Sequence, residues 1–117
     1  MLLIFCACFS AYRSVESAQE RKEIRSDSVD YVEMNQNSKE GKGFRLSNNQ
    51  IQELTKRWNQ ARPIGLCKFY AKYIISVYGK NGETRIFRAT ADTMKEDDDY
   101  CFALEDGYVE TVWKSNQ

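Results

Sequence analysis

The chemistry open to this chain is limited first by its cysteines and by the absence of histidine. Its 117 residues include four cysteines and no histidine. Without an imidazole, Ser-His and Cys-His nucleophiles and His-containing zinc sites are excluded. Cys67 and Cys101 have three interpretations: a disulfide, which we favour, two inert buried thiols, or a catalytic thiol that no histidine would activate. We therefore expect no zinc site, no cofactor and no enzymatic activity.

Carboxylates form the second set of candidate reactive groups. Residues 96–99 place four carboxylates in a row. This run lacks the alternating Asp spacing, the central glycine and the terminal Glu of an EF-hand loop, so we predict a solvated loop and no metal site. A carboxylate pair for glycoside hydrolysis would have to combine this loop with Glu105 or Glu110. Nothing in the sequence sets the separation of that pair, so a small carboxylate-dependent hydrolase is the most remote alternative.

Tyrosines interleaved with basic residues form the third set. Tyr70, Tyr78 and Tyr100 fall where the alternation points away from the main core, near Lys72 and Arg85. Such a sheet face suits single-stranded nucleic acid, a protein partner, or a second layer of the protein itself. Because seventeen basic residues balance seventeen acidic ones, we expect no nucleic-acid partner. We predict protein binding through Tyr70, Lys72, Tyr78 and Arg85.

An apolar run at the start of the chain indicates export. Residues 2–11 are about half as long as a membrane-spanning helix and fit the apolar region of a signal peptide. We predict a leader over residues 1–17, either cleaved after Ser17 or processed before Cys8, which would then carry a lipid anchor. The alternative is a buried strand of a cytosolic domain. Export to the periplasm or to a membrane anchor would favour the disulfide.

The remaining chain divides into a polar segment and an ordered domain. Residues 18–45 carry few large apolar side chains, which predicts a flexible tether. Residues 46–117 form the predicted domain, which begins with a capping box at Ser47 and Gln50 and an apolar helical stripe. We expect that helix to end at residues 63–65.

Strands are predicted after the helix. Residues 67–78 alternate with their odd-numbered side chains toward the core, and a two-residue turn at Asn81-Gly82 leads to a second strand over 84–91. That turn would put Arg88 opposite the core residue Ile75, which leaves open a register shifted by a bulge or an Arg88 at the core margin. We predict a polar connection over 92–99, a third strand over 100–104 and a short helix near 108–113.

The pattern predicts an α+β fold with one amphipathic helix packed on a three- to four-stranded antiparallel sheet, in the order helix, strand, strand, strand, followed by a short C-terminal helix. Charge divides along this domain. Residues 46–88 carry eight basic and two acidic side chains, whereas residues 89–117 carry two and eight. These segments either pack against each other or steer a charged partner.

The domain resembles a class of exported proteins. The motifs Gly65-Leu66-Cys67-Lys68, Arg85-Ile86-Phe87-Arg88 and Asp99-Tyr100-Cys101-Phe102 are similar to those of small uncharacterised bacterial lipoproteins, over residues 46–113. The resemblance implies location and architecture. The element order is also analogous to cystatin-like inhibitors, an analogy of fold alone. We therefore expect a non-catalytic cell-envelope protein that binds a protein partner, of an inhibitor or immunity type, with a structural accessory lipoprotein as the alternative.

Overall fold

Seven strands and two α-helices make up the part of the chain that the structure, a computed structural model, describes: residues 21–97 and 99–117. A short 3-10 turn at Ser26–Ser28 precedes them. The strands are β1 (Val29–Gln36), β2 (Gly43–Arg45), β3 (Arg62–Gly65), β4 (Tyr73–Gly79), β5 (Thr84–Ala89), β6 (Thr93–Glu96) and β7 (Cys101–Ala103). The helices are α1 (Asn48–Gln60) and α2 (Tyr108–Ser115).

All seven strands belong to one antiparallel sheet, in the order β2-β1-β4-β5-β6-β7-β3. The prediction of a three- to four-stranded sheet with a single main helix is therefore wrong, although the class is α+β. Four of the seven strands were not predicted. β1 and β2 precede the predicted domain, β3 follows α1 directly, and β6 lies in the predicted polar connection.

β1 corrects the prediction of a flexible tether over residues 18–45. Its backbone pairs with β4 along seven positions and with β2 along three. The segment has few apolar side chains, but Ile24, Val29, Val32 and Met34 are all buried in the core. The polarity of the segment as a whole suggested disorder. This inference failed because a strand can have one polar face while its alternate side chains are buried. The predicted leader and its Cys8 lie outside the described residues.

Both helices pack on the same face of the sheet, which we call the inner face. The capping box of α1 is confirmed, since Ser47 Oγ accepts from the Gln50 amide while Gln50 Oε1 accepts from the Ser47 amide. Trp58 of α1 meets the edges of Phe87 and Phe102, each with ring centres 5.0 Å apart. Trp113 of the C-terminal helix, which was also predicted, packs 5.2 Å from the Tyr73 ring. The helices and the inner face thus share one apolar core.

The β4–β5 hairpin decides which side chains lie on which face. Its loop has three residues, because the Gly79 amide donates to Glu83 O and Gly82 takes a positive φ of 89°. This geometry is a turn followed by a bulge, and it shifts the register by one residue from the two-residue prediction. Phe87 now pairs with Ile75 inside the core, and Arg88 pairs with Ile74 on the opposite face. The shifted register was one of the two solutions left open by the sequence.

Candidate functional site

The face of the sheet opposite the helices is the outer face. Strand pairing assigns side chains to it, because residues directly opposite each other across an antiparallel pair point to the same side. Its central residues on β4 and β5 are Ile74, Ser76, Tyr78, Thr84, Ile86 and Arg88. The neighbouring strands add Tyr31, Glu33, Arg45, Arg62, Thr93, Lys95, Cys101 and Ala103.

The connection from β3 to β4 crosses part of this outer face. We call residues 66–72 the strap. Near its start, the backbone oxygen of Cys67 lies 3.4 Å from Lys95 Nζ of β6. At its end, the amide of Lys72 donates to Ala89 O of β5 at 2.9 Å. The strap therefore lies over β6 and β7.

A disulfide holds the strap to the sheet. Cys67 is bonded to Cys101 of β7, with Cα atoms 6.0 Å apart, which confirms the predicted pairing. The bond closes a loop of 34 residues that contains the strap, β4, β5 and β6. The start of the strap is therefore attached covalently to β7, the strand next to the β3 edge of the sheet.

Side chains of the strap alternate between the sheet and solvent. Cys67, Phe69 and Ala71 are partly or fully buried, whereas the residues between them are exposed. The alternation predicted for residues 67–78 is thus present, but its first half packs on the outer face. Only the residues from Tyr73 onward form the strand whose odd-numbered side chains enter the main core.

Lys95 lies beneath the strap. Only 8% of this residue is exposed, and its ammonium lies 4.9 Å from the centre of the Phe69 ring. The hydrogen bond to Cys67 O and the cation–π contact together compensate part of the cost of removing the charge from water. The inward residues of the strap therefore have a structural role, and its outward residues are those available to a partner.

The outward residues include the most exposed large apolar side chains among the described residues. Tyr70 is 88% exposed and Leu66 is 75% exposed, and Ile64 of the adjoining edge strand β3 is 47% exposed. Lys68 lies between the first two and is also exposed. Clusters of exposed apolar and aromatic side chains on a fixed backbone are typical of interaction surfaces.

The outer side of β1, β2 and β4 carries a group of stacked side chains. Tyr31 and Tyr78 stack with ring centres 4.4 Å apart and planes inclined by 19°. The Arg45 guanidinium lies 3.9 Å from the centre of the Tyr31 ring and 3.6 Å from the Glu33 carboxylate. Arg45, Tyr31 and Tyr78 form what we call the ring stack, in which each member packs on the next.

Of the four residues predicted to bind a partner, Arg85 lies on the opposite face of the sheet from Tyr78. The one-residue register shift puts it on the inner side, opposite Val77, where 14% of its side chain is exposed. Its guanidinium donates to both oxygens of Glu96, at 2.7 and 2.8 Å, and to the backbone oxygens of Lys22 and Glu23. Arg85 therefore joins the N-terminal segment to β6.

Tyr70 belongs to the strap and Tyr78 to the ring stack, whereas Lys72 ends the strap in a cluster with α2. Lys72 Nζ lies 3.1 Å from both carboxylate oxygens of Glu110. The buried hydroxyl of Tyr73 also donates to Glu110. That hydrogen bond, followed by the Lys72 contacts, lowers the pKa of Glu110. Burial, followed by the same hydrogen bond, raises the pKa of Tyr73.

These shifts do not produce a group suited to proton transfer near neutral pH. Burial also raises the pKa of Tyr108 to about 12. The two tyrosines thus stay neutral and Glu110 stays ionised, whereas a general acid or base works best with a pKa near the operating pH. Within residues 21–97 and 99–117, no group of three or more acidic or cysteine side chains is placed to hold a metal ion.

Ion pairs connect the basic and acidic segments of the domain. Arg62 pairs with Glu105 at 3.6 Å, Lys72 with Glu110, and Arg85 with Glu96. The opposite charges of the two segments are thus neutralised in part inside the molecule. This agrees with the interpretation in which the basic and acidic segments pack against each other. The carboxylates at 96–99 do not act as one group, because Glu96 pairs with Arg85.

Leu66, Tyr31 and Arg45 were not predicted as site residues. The alternation of residues 66, 68 and 70 with Cys67 and Phe69 was a usable signal for Leu66. Tyr31 and Arg45 could not be found because their segment was taken as a tether.

Comparison with protein-family models, with curated proteins and with solved structures found no match for this chain. The described part of the chain, with its single gap at residue 98, also contains no helix long and apolar enough to cross a membrane.

Proposed function

We propose that this protein is a non-catalytic binding module that docks a protein partner through the outward side chains of the strap. The observation that carries the proposal is the exposure of Leu66 and Tyr70, at 75% and 88%, on a segment fixed by the Cys67–Cys101 disulfide. A fixed segment loses little conformational entropy on binding, so burial of these two side chains translates efficiently into affinity.

The proposed partner contact is consistent with known interface energetics. Tyrosine is enriched among residues that dominate binding energy, and such residues are surrounded by contacts that exclude water. Ile64 on the edge strand and Lys68 on the strap lie beside the two anchors and are exposed as well. Tyr70 keeps the binding role predicted for it, whereas Arg85 is reassigned to a structural role.

We further propose that the protein works outside the cytoplasm, in the cell envelope, as an inhibitor or immunity-type protein. The disulfide supports this location, because disulfides persist in oxidising compartments and are rare in the cytosol. Anchoring through Cys8 remains a prediction. Membrane partitioning that is lost in Cys8→Ala would support it, and partitioning unchanged by that substitution would contradict it.

Affinity capture from the envelope fraction of the source cells tests the binding role. The immobilised protein should retain one partner in stoichiometric amount, and the purified partner should bind 1:1 by calorimetry. Leu66→Ser with Tyr70→Ser should weaken that binding about a thousandfold, since two anchors at about 2 kcal/mol each contribute about 4 kcal/mol. Lys56→Ser with Lys114→Ser changes two exposed helix residues and is the matched control. A structural accessory protein would show equal binding in both variants.

A further inference from the structure

The outer face differs from the helices in its charge. Among Lys68 of the strap and the strand residues that pairing places on the outer face, four basic side chains are exposed, and one partly exposed side chain is acidic. The basic residues are Arg45, Arg62, Lys68 and Arg88, and the acidic one is Glu33. The two helices together carry a nearly balanced set: Glu53, Lys56, Arg57, Glu110 and Lys114.

This asymmetry is a property of the fold and is not visible as a patch in the sequence. Arg45 of β2, Lys68 of the strap and Arg88 of β5 are at least twenty positions apart along the chain. Strand pairing brings Arg45 and Arg88 to one side of the sheet, and the strap places Lys68 on the same side. The net formal charge of zero therefore conceals a positive face.

We infer that the partner docked by the strap is an acidic protein surface that lies across the outer face, from the strap to the ring stack. The inference rests on the proposed function and adds the chemical class of the partner. Carboxylates on the partner would meet Lys68 on the strap and Arg45 on the ring stack, both of which are solvent-exposed.

Two features select an acidic protein over other anions. Tyr70 and Leu66 are anchors that fit pockets of a folded surface, and an isolated leucine offers nothing to a base or a phosphate. The rings of Tyr31 and Tyr78 stack on each other and on Arg45, so their faces are already occupied on those sides.

Poly-L-glutamate is the probe that tests the charge of the face without knowledge of the partner. Titration into the full 15N-labelled protein at low ionic strength should shift amide signals of the strap, β2 and the outer-facing strand residues. Arg45→Gln with Lys68→Gln should weaken the binding about tenfold, and added salt should weaken it further. Lys56→Gln with Lys114→Gln removes the same charge from the helices and should leave the affinity unchanged within about twofold.

The outcomes separate this inference from the proposed function. Shifts confined to the helix side, equal losses in both variants, or no binding at low salt would overturn the inference. Tighter binding of oligodeoxythymidylate than of poly-L-glutamate to the same face would also overturn it, in favour of a nucleic-acid partner. If Leu66→Ser with Tyr70→Ser abolishes capture while Arg45→Gln with Lys68→Gln changes nothing, the binding role stands and the acidic partner does not.

Discussion

The ammonium of Lys95 lies 4.9 Å from the centre of the Phe69 ring, which covers it from the solvent side. This contact joins the sheet to the strap at the point where the disulfide also holds it. Phe69 and Tyr70 are adjacent aromatic residues with opposite orientations, the first packed inward and the second 88% exposed. The pair therefore separates the structural side of the strap from the side that we propose for binding.

Phe69→Ala should destabilise the protein, whereas Tyr70→Ala should not. Removing the Phe69 ring exposes Lys95 and leaves space under the strap, so we expect a loss of about 1–3 kcal/mol in the free energy of unfolding. Tyr70→Ala should change it by less than about 0.5 kcal/mol, as for most surface substitutions. Urea denaturation measures both. Equal effects would contradict the assigned orientations.

The Cys67–Cys101 bond should contribute substantially to stability. On the chain-entropy estimate, a closed loop of 34 residues corresponds to about 3–4 kcal/mol at 25 °C. Cys67→Ser with Cys101→Ser should lower the free energy of unfolding by this order and increase amide exchange most strongly in residues 66–70. Peptide mapping under non-reducing conditions should recover the two cysteines linked. Thiol labelling of both in unreduced protein would contradict the pairing.

Arg85→Ala should reduce stability more than any change at an exposed ion pair. Arg85 and Glu96 are only 14% and 19% exposed in their side chains, and loss of the guanidinium also leaves the backbone oxygens of Lys22 and Glu23 without this donor. We expect about 2–4 kcal/mol. Arg25→Ala is the control, because its pair with Asp27 is more than two-thirds exposed and should contribute little. A small effect of Arg85→Ala would restore it as a candidate binding residue.

Glu110 should make the fold sensitive to acid. Its pKa in the folded protein is below the ordinary 4.5, mainly because of the Tyr73 hydrogen bond. A lowered folded-state pKa stabilises the protein at pH above 4.5, and this contribution is lost as the pH falls through the folded value. Tyr73→Phe should therefore move the Glu110 carboxyl titration upward in 13C NMR spectra. Glu110→Gln should flatten the decrease in melting temperature below pH 4.5. An unchanged Glu110 titration in Tyr73→Phe would contradict this cause.

Local signals in the sequence were reliable where a few adjacent residues determine the structure. The Ser47–Gln50 capping box and the final helix are such cases. The hairpin turn at Asn81-Gly82 was placed correctly, but its loop has three residues and not the two that were predicted. β1 was missed because a strand that is polar on one side needs only Val32 and Met34 to enter the core. Short strands such as β6, with four residues, carry too little periodicity to be recognised.

The candidate site was predictable only in part, for a related reason. Alternation shows which side chains point to the same side of a strand, but it does not show which face of the sheet they pack against. Cys67 and Phe69 therefore looked like core residues of a strand, although they pack on the outer face. A shift of one residue in the hairpin register likewise moved Arg85 to the opposite face from Tyr78.

Site-specific photo-crosslinking from the strap tests the central claim most directly. A photoreactive phenylalanine analogue would replace Tyr70 in the protein expressed in its own cells, and the same analogue would replace Lys56 as a control. The account predicts one discrete crosslinked species from position 70 and none from position 56. Absence of a crosslink at position 70, together with a discrete species from position 56, would show that the helix side binds the partner and would contradict the account.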